Sequence, residues 1–121
     1  MLINLSNHPS EYWSEAQTEA AHMKWGRIVD VPFPAIAPTL IADEVRDIAT
    51  EYCSRCVELL GSAEGEPCAV HLMGEMTFCC YLVAMLKSQG VVVVASAAER
   101  EVYYIEDVKN SIFNFVCFRE Y

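Results

Sequence analysis

Apolar and polar positions fall into blocks along the chain, and the spacing within each block separates strands from helices. Leu2-Ile3-Asn4-Leu5 is a short, mostly apolar run, and Ser6-Asn7-His8-Pro9-Ser10 follows it. This predicts a first strand and then a loop, with Ser10 a candidate N-cap. From Glu11 to Lys24, Tyr12, Trp13, Ala16, Ala20 and Met23 recur near the spacing of one helix face. Gly26 stands where that helix would stop. Ile28 to Val31 reads as a second strand. The stretch Pro32 to Pro38, "PFPAIAP", is excluded from helix and central strand because its prolines lack N–H donors. A second helix is predicted from Leu40 to Leu60, with Ile41, Val45, Ile48, Tyr52, Cys56 and Leu59 as its apolar stripe. Gly61 closes it, and "GSAEGEP" is a loop.

In the second half, Cys68 to Leu72 predicts a third strand and Met76 to Gln89 a third helix, apolar almost all round and therefore well covered. Val91-Val92-Val93-Val94-Ala95 is an unbroken apolar run, the mark of a strand buried on both faces of a parallel sheet. "SAAERE" reads as a loop. Val102 to Ile105 and Ile112 to Phe118, separated by the polar "EDVKNS", read as an antiparallel hairpin. The predicted order β-α-β-α-β-α-β-β-β gives one α/β domain over residues 1–121. It is a three-layer, Rossmann-like, mostly parallel sheet with helices on both faces and a C-terminal antiparallel hairpin.

A chain of 121 residues suits a single core, and a hydrophobic content of 54% excludes a disordered chain. No apolar run reaches the roughly 18 residues a membrane span needs. The start, "MLINLSNHP", lacks the basic and apolar regions of a signal peptide, so we expect a cytoplasmic protein. Seventeen acidic residues against eight basic ones give a formal charge of −9, which argues against a surface that tracks long nucleic acid. A small anion held by backbone N–H groups and a cation or two remains compatible with that charge. Of the six cysteines, only Cys53 and Cys56 have metal or redox spacing; they lie within the second helix, and we read them as buried thiols.

In open parallel sheets, ligands collect beyond the carboxyl ends of the strands. Three predicted loops lie there: Ser6-Asn7-His8-Pro9, Met73-Gly74-Glu75-Met76-Thr77, and Ser96-Ala97-Ala98-Glu99-Arg100. Gly74 permits close approach, the amides after it are free donors at a helix start, and Thr77 offers a hydroxyl. Glu75 is either a general base or a helix cap. His8 is a candidate acid or phosphate donor, and Arg100 a candidate phosphate clamp or a surface ion-pair partner. His71, inside a strand, reads as a satisfied sheet residue and His22 as surface. No Walker or dinucleotide fingerprint occurs, no nucleophile elbow accompanies Ser6 or Ser96, and no paired ligands call for a metal or cofactor.

Taken together, "LINLSNHPS", "HLMGEMTF" and "VVVVASAAERE" resemble small CRISPR-associated relatives of the CARF (CRISPR-associated Rossmann fold) domains, several of which are ring nucleases. The resemblance covers residue 2 to about residue 101. It departs at Ala97 and Ala98, where the familiar members carry hydroxyls. It implies a homodimer that binds a cyclic oligoadenylate, tetra-adenylate first among them, over the carboxyl ends of both sheets. It further implies a metal-independent, cofactor-free cleavage in which a ribose 2′-hydroxyl attacks the adjacent phosphate and leaves a cyclic 2′,3′-phosphate. By position, His8, Glu75 and Arg100 would carry the chemistry, with Ser6, Asn7, Met73, Gly74, Met76, Thr77, Ser96 and Glu99 around the ligand. A non-catalytic sensor or sponge for the same ligand, or another nucleotide-handling Rossmann-like enzyme, are the alternatives.

Overall fold

The computed structural model describes residues 1–121. Five strands form one sheet in the order β2-β1-β3-β4-β5. Strands β1 (Leu2–Ser6), β2 (Ile28–Asp30), β3 (Ala69–Met73) and β4 (Val93–Ile105) run parallel, and β5 (Val108–Glu120) returns antiparallel to β4. Helices α1 (Glu15–Trp25), α2 (Ala42–Gly61) and α3 (Met76–Ser88) make the crossovers. The predicted α/β class is therefore observed. Because β1 has β2 on one side and β3 on the other, the chain reverses its direction of winding between β1 and β3, the place where such sheets open a crevice.

Alternation along the strands sorts the core into two layers. Ile3, Leu5, Val70, Leu72 and Val93 pack with Val45, Ala49, Cys53 and Cys56 of α2 and Phe78, Leu82 and Leu86 of α3. Leu2, Ala69 and Val94 point the other way, against Ala21 and Trp25 of α1. Cys53 and Cys56 are thus core thiols, and burial pushes Cys56 up to about 11.

Three expectations are corrected. The first helix does not start at Glu11: Ser10–Tyr12 is a short 3₁₀ turn, and Ser14, not Ser10, caps α1 by accepting from the Gln17 amide at 3.2 Å. The indole of Trp13 donates to the His8 carbonyl at 3.1 Å, which holds Trp13 over the loop and out of the helix. The buried face of α1 is Ala21 and Trp25, leaving Tyr12 and Met23 exposed. Second, α3 is not covered all round: Met76 and Cys80 are exposed.

Third, "SAAERE" is strand. β4 continues without a break from Val93 to Ile105 and pairs with β5 along its length, closing through Glu106 and Asp107, both at positive φ. Positive φ at both central residues is the two-residue turn that matches strand twist. Only Val93 and Val94 pair with β3, so the hairpin projects past the sheet as an arm of roughly 30 Å, at about 3.3 Å per residue.

Candidate functional site

On the α1 side, the apolar layer ends part-way up the sheet. Above Leu2, Ala69 and Val94, the same face carries Asn4 and Ser6 of β1, His71 and Met73 of β3, and Ser96 of β4. Asn4, Ser6 and His71 are buried, and none of the chain's buried polar side-chain atoms lacks a hydrogen-bond partner. Asn4 donates its amide to the Asp30 carboxylate at 2.7 Å and to the His8 carbonyl at 3.0 Å. Its side-chain oxygen is thereby left to accept, and His71 Nδ1 lies 2.9 Å from it. Nδ1 therefore carries the imidazole proton, and the lone pair of Nε2 faces the Ser96 hydroxyl at 3.2 Å. The Ser6 hydroxyl also lies 2.8 Å from the Asn4 oxygen. Burial, helped by the nearby His8, lowers the His71 pKa to about 4, so the ring is neutral at physiological pH. Burial opposes ionisation of Asp30, but hydrogen bonds from Ser10 and Asn4 outweigh it and hold its pKa below the usual value.

Over this network opens a cavity of about 690 Å³. Ser6, His8, His71, Met73 and Ser96 form its floor and one side, Ser14 and Gln17 come from the start of α1, and Ala98, Phe113 and Phe115 come from the arm. Tyr12 and Trp13 complete the wall, with Trp13 edge-on to the His71 ring at 5.2 Å between centroids. Not one of the chain's 17 acidic residues lines it.

Of the residues singled out from sequence, the structure brings Ser6, His8, Met73 and Ser96 together here. Asn7 lines a neighbouring hollow with Asp30 and Phe33. Gly74 and Met76 line a third, beside Cys80 and Tyr121. Glu75 is the N-cap of α3: its carboxylate accepts from the Phe78 amide at 2.8 Å and from Thr77 through both amide and hydroxyl. These bonds, the Phe78 amide foremost, lower its pKa, so it is a poor proton acceptor at neutral pH. Space over Gly74 is taken by the Phe33 ring of the proline-rich loop rather than left for a ligand: a Cβ there would lie under 3 Å from three ring atoms. Arg100 and Glu99 sit on the arm. Arg100 points to the cavity side, beside Ala98 and opposite Phe113, and donates to the Ser111 hydroxyl at 3.1 Å; Glu99 points away. Sequence reading did not assign Asn4, His71, Trp13 or the arm phenylalanines to the site, and it read His71 as a satisfied sheet residue, which it is. Polar residues breaking the apolar strands at positions 4 and 71 were the signal for the first two.

A family model matches residues 1–119, which take in all three helices and all five strands but for the last residue of β5. The chain belongs to the Uncharacterized protein MJ1673 family. No curated protein and no solved structure matches it. Since the MJ1673 family match spans both β1 and the returning strand of the arm, the elements that build the cavity all lie within the family's extent.

Proposed function

We propose that this protein is a metal-independent ring nuclease: it binds a cyclic oligoadenylate, tetra-adenylate first among them, and opens it, ending a type III CRISPR signal. The observation that carries the reading is the cavity at the β1–β3 reversal. It combines aromatic walls with hydroxyls and imidazoles and excludes every carboxylate of an acidic chain. Adenine faces stack on aromatic rings such as Trp13, Phe113 and Phe115, each base–aromatic contact being worth about 1–3 kcal/mol. Phosphates are tolerated where no carboxylate faces them, near the start of α1, whose dipole favours an anion. Arg100 supplies a cation on the same strand face. Aligning a 2′-oxygen with its phosphate supplies much of the barrier reduction, so a modest constellation suffices.

The site acts as a homodimer in this reading. A symmetric ring exposes the same groups to two chains, and the arm leaves Val102, Tyr104, Ile105, Val108, Ile112 and Phe113 exposed for a second copy. A second reading, binding without turnover, is favoured by Ala98, which gives the wall a methyl group in place of a hydroxyl. Glu75 as a nucleophile is disfavoured by its capping bonds.

Incubation of the protein with labelled cyclic tetra-adenylate in EDTA tests the proposal. We expect linear products ending in a cyclic 2′,3′-phosphate. Tight binding without product supports the sponge, and no binding to rings of any size refutes both.

A further inference from the structure

We infer that Ser96, His71 and His8 divide the two proton transfers of ring opening: Ser96 relays the 2′-hydroxyl proton to His71 Nε2, and His8 returns a proton to the leaving 5′-oxygen. This deepens the proposed function and rests on it. The geometry points to it in three ways. Asn4, anchored by Asp30, fixes the His71 tautomer with its lone pair toward Ser96. Ser96 is half-buried at the cavity wall, where its hydroxyl has only Nε2 and the Met73 thioether as partners, and a nitrogen lone pair is the better acceptor. The His8 ring lines the same cavity, makes no hydrogen bond to protein, and is close enough to His71 to disfavour its charging.

The step balances. The 2′-oxygen bonds to phosphorus as its proton passes to Ser96 Oγ, and the Ser96 proton passes to Nε2. The bond from phosphorus to the 5′-oxygen breaks, and His8 protonates that oxygen. The products are a cyclic 2′,3′-phosphate and a 5′-hydroxyl, with His71 charged and His8 neutral until solvent exchange resets both. The Asn4 oxygen accepts from Nδ1 behind the ring, and a ligand phosphate in front would favour the charged form of His71 against the burial that opposes it. Asp30, His8, Tyr12 and, further along the arm, Arg100 are the charged or titratable groups around this path. Ser96 and His8 are catalytic residues in this scheme; Asn4 is a positioning residue.

Single-turnover cleavage of cyclic tetra-adenylate by wild type, Ser96→Ala and His8→Ala tests this, alongside binding of a 2′-O-methylated ring that cannot react. We expect Ser96→Ala to slow cleavage by about 10²-fold or more, the range of general acid–base assistance, with ring affinity within about twofold. His8→Ala should slow cleavage by a similar factor and remove one limb of the pH–rate profile. In wild type, ¹⁵N imidazole spectra should show His71 protonated on Nδ1, with Nε2 shifting when the methylated ring binds. Wild-type rates in Ser96→Ala overturn the relay and leave the ring-nuclease reading standing. A ring bound but never cut by wild type overturns the catalytic reading and the relay with it, and no cleavage with His71 protonated on Nε2 overturns the geometry itself.

Discussion

Stability should fall as the pH drops from 7.5 to 5.0, and His71 should account for a defined share of the fall. Its folded pKa is about 4, against 6.5 for the free side chain, with burial as the main cause. The unfolded chain therefore binds a proton between about pH 6.5 and pH 4 that the folded chain refuses. The slope of stability on pH is positive wherever the unfolded state holds more protons, so folding is weakened on acidification through that window and no further below it. At pH 5.0 the difference from 6.5 is 1.5 units. At about 1.4 kcal/mol per unit this is on the order of 2 kcal/mol. Asp30 works in a separate window: its pKa is lowered, so its contribution is present above the ordinary 3.8 and is lost only as pH falls below that. Urea denaturation at both pH values, for wild type and His71→Gln, isolates the term, because exposed His8 and His22 remain in both proteins. Glutamine offers an amide to both Asn4 and Ser96 and carries no titrating charge. An equal loss of stability in both proteins would refute the assignment of a buried, neutral imidazole.

Two further outcomes follow from packing and capping. Gly74→Ala forces a Cβ against the Phe33 ring at φ +157, an overpacking cost of about 1–3 kcal/mol. At roughly 4 °C per kcal/mol for a chain of this size, the melting temperature drops by about 4–12 °C in a thermal scan, and a change of under 2 °C contradicts the close approach. Glu75→Ala removes the cap of α3 and lowers the melting temperature while leaving ring opening within about twofold of wild type, whereas Glu75→Gln, which keeps one accepting oxygen, is milder. A large rate loss in Glu75→Gln with an unchanged melting temperature would return Glu75 to the chemistry.

The sheet was legible where local pattern and tertiary environment agree. Ala69, Val70, Val93 and Val94 are apolar because both faces of a parallel sheet are covered, and the blocks between them are long enough only for helical crossovers. Clustering of polar groups at the carboxyl ends was legible for the same topological reason, and it led to Ser6, His8, Met73 and Ser96. The antiparallel hairpin was legible, but its full length was not. Ala95 to Glu101 offers small and charged residues with poor strand propensity, and its extended state comes from seven cross-strand partners on β5 that local sequence cannot announce. The role of Gly74 was open for a related reason: the ring that fills the space above it, Phe33, lies 41 positions earlier, in a loop with no regular structure. His71 looked like a satisfied sheet residue, and it is one. Its partners, Asn4 and Ser96, are what turn satisfaction into a directed chain of hydrogen bonds.

An acidic chain can hold an anion only if its carboxylates are sorted away from the site, and β4 shows how the sorting is done. Ser96, Ala98 and Arg100 share one face of the strand, while Glu99 and Glu101 take the other by simple alternation. A slip of one residue would turn both glutamates onto the cavity face of the strand and Arg100 off it. The register is held at the base by pairing of Val93 and Val94 with Val70 and His71, and above by the irregularity opposite Ala97 and Ala98, where β5 passes from Cys117 to Phe115. That irregularity sets Phe115 and Phe113 on the same side as Ala98 and Arg100, which is why the arm meets the cavity with rings, with Arg100 on the same strand face beyond them. With a screening length of about 10 Å at 0.1 M salt, carboxylates on the outer faces of α2 and on the far side of the arm act only weakly across the protein. The net charge of −9 and a seat for a polyphosphate ring are therefore compatible, provided that strand register, rather than composition, decides which charges the ligand meets.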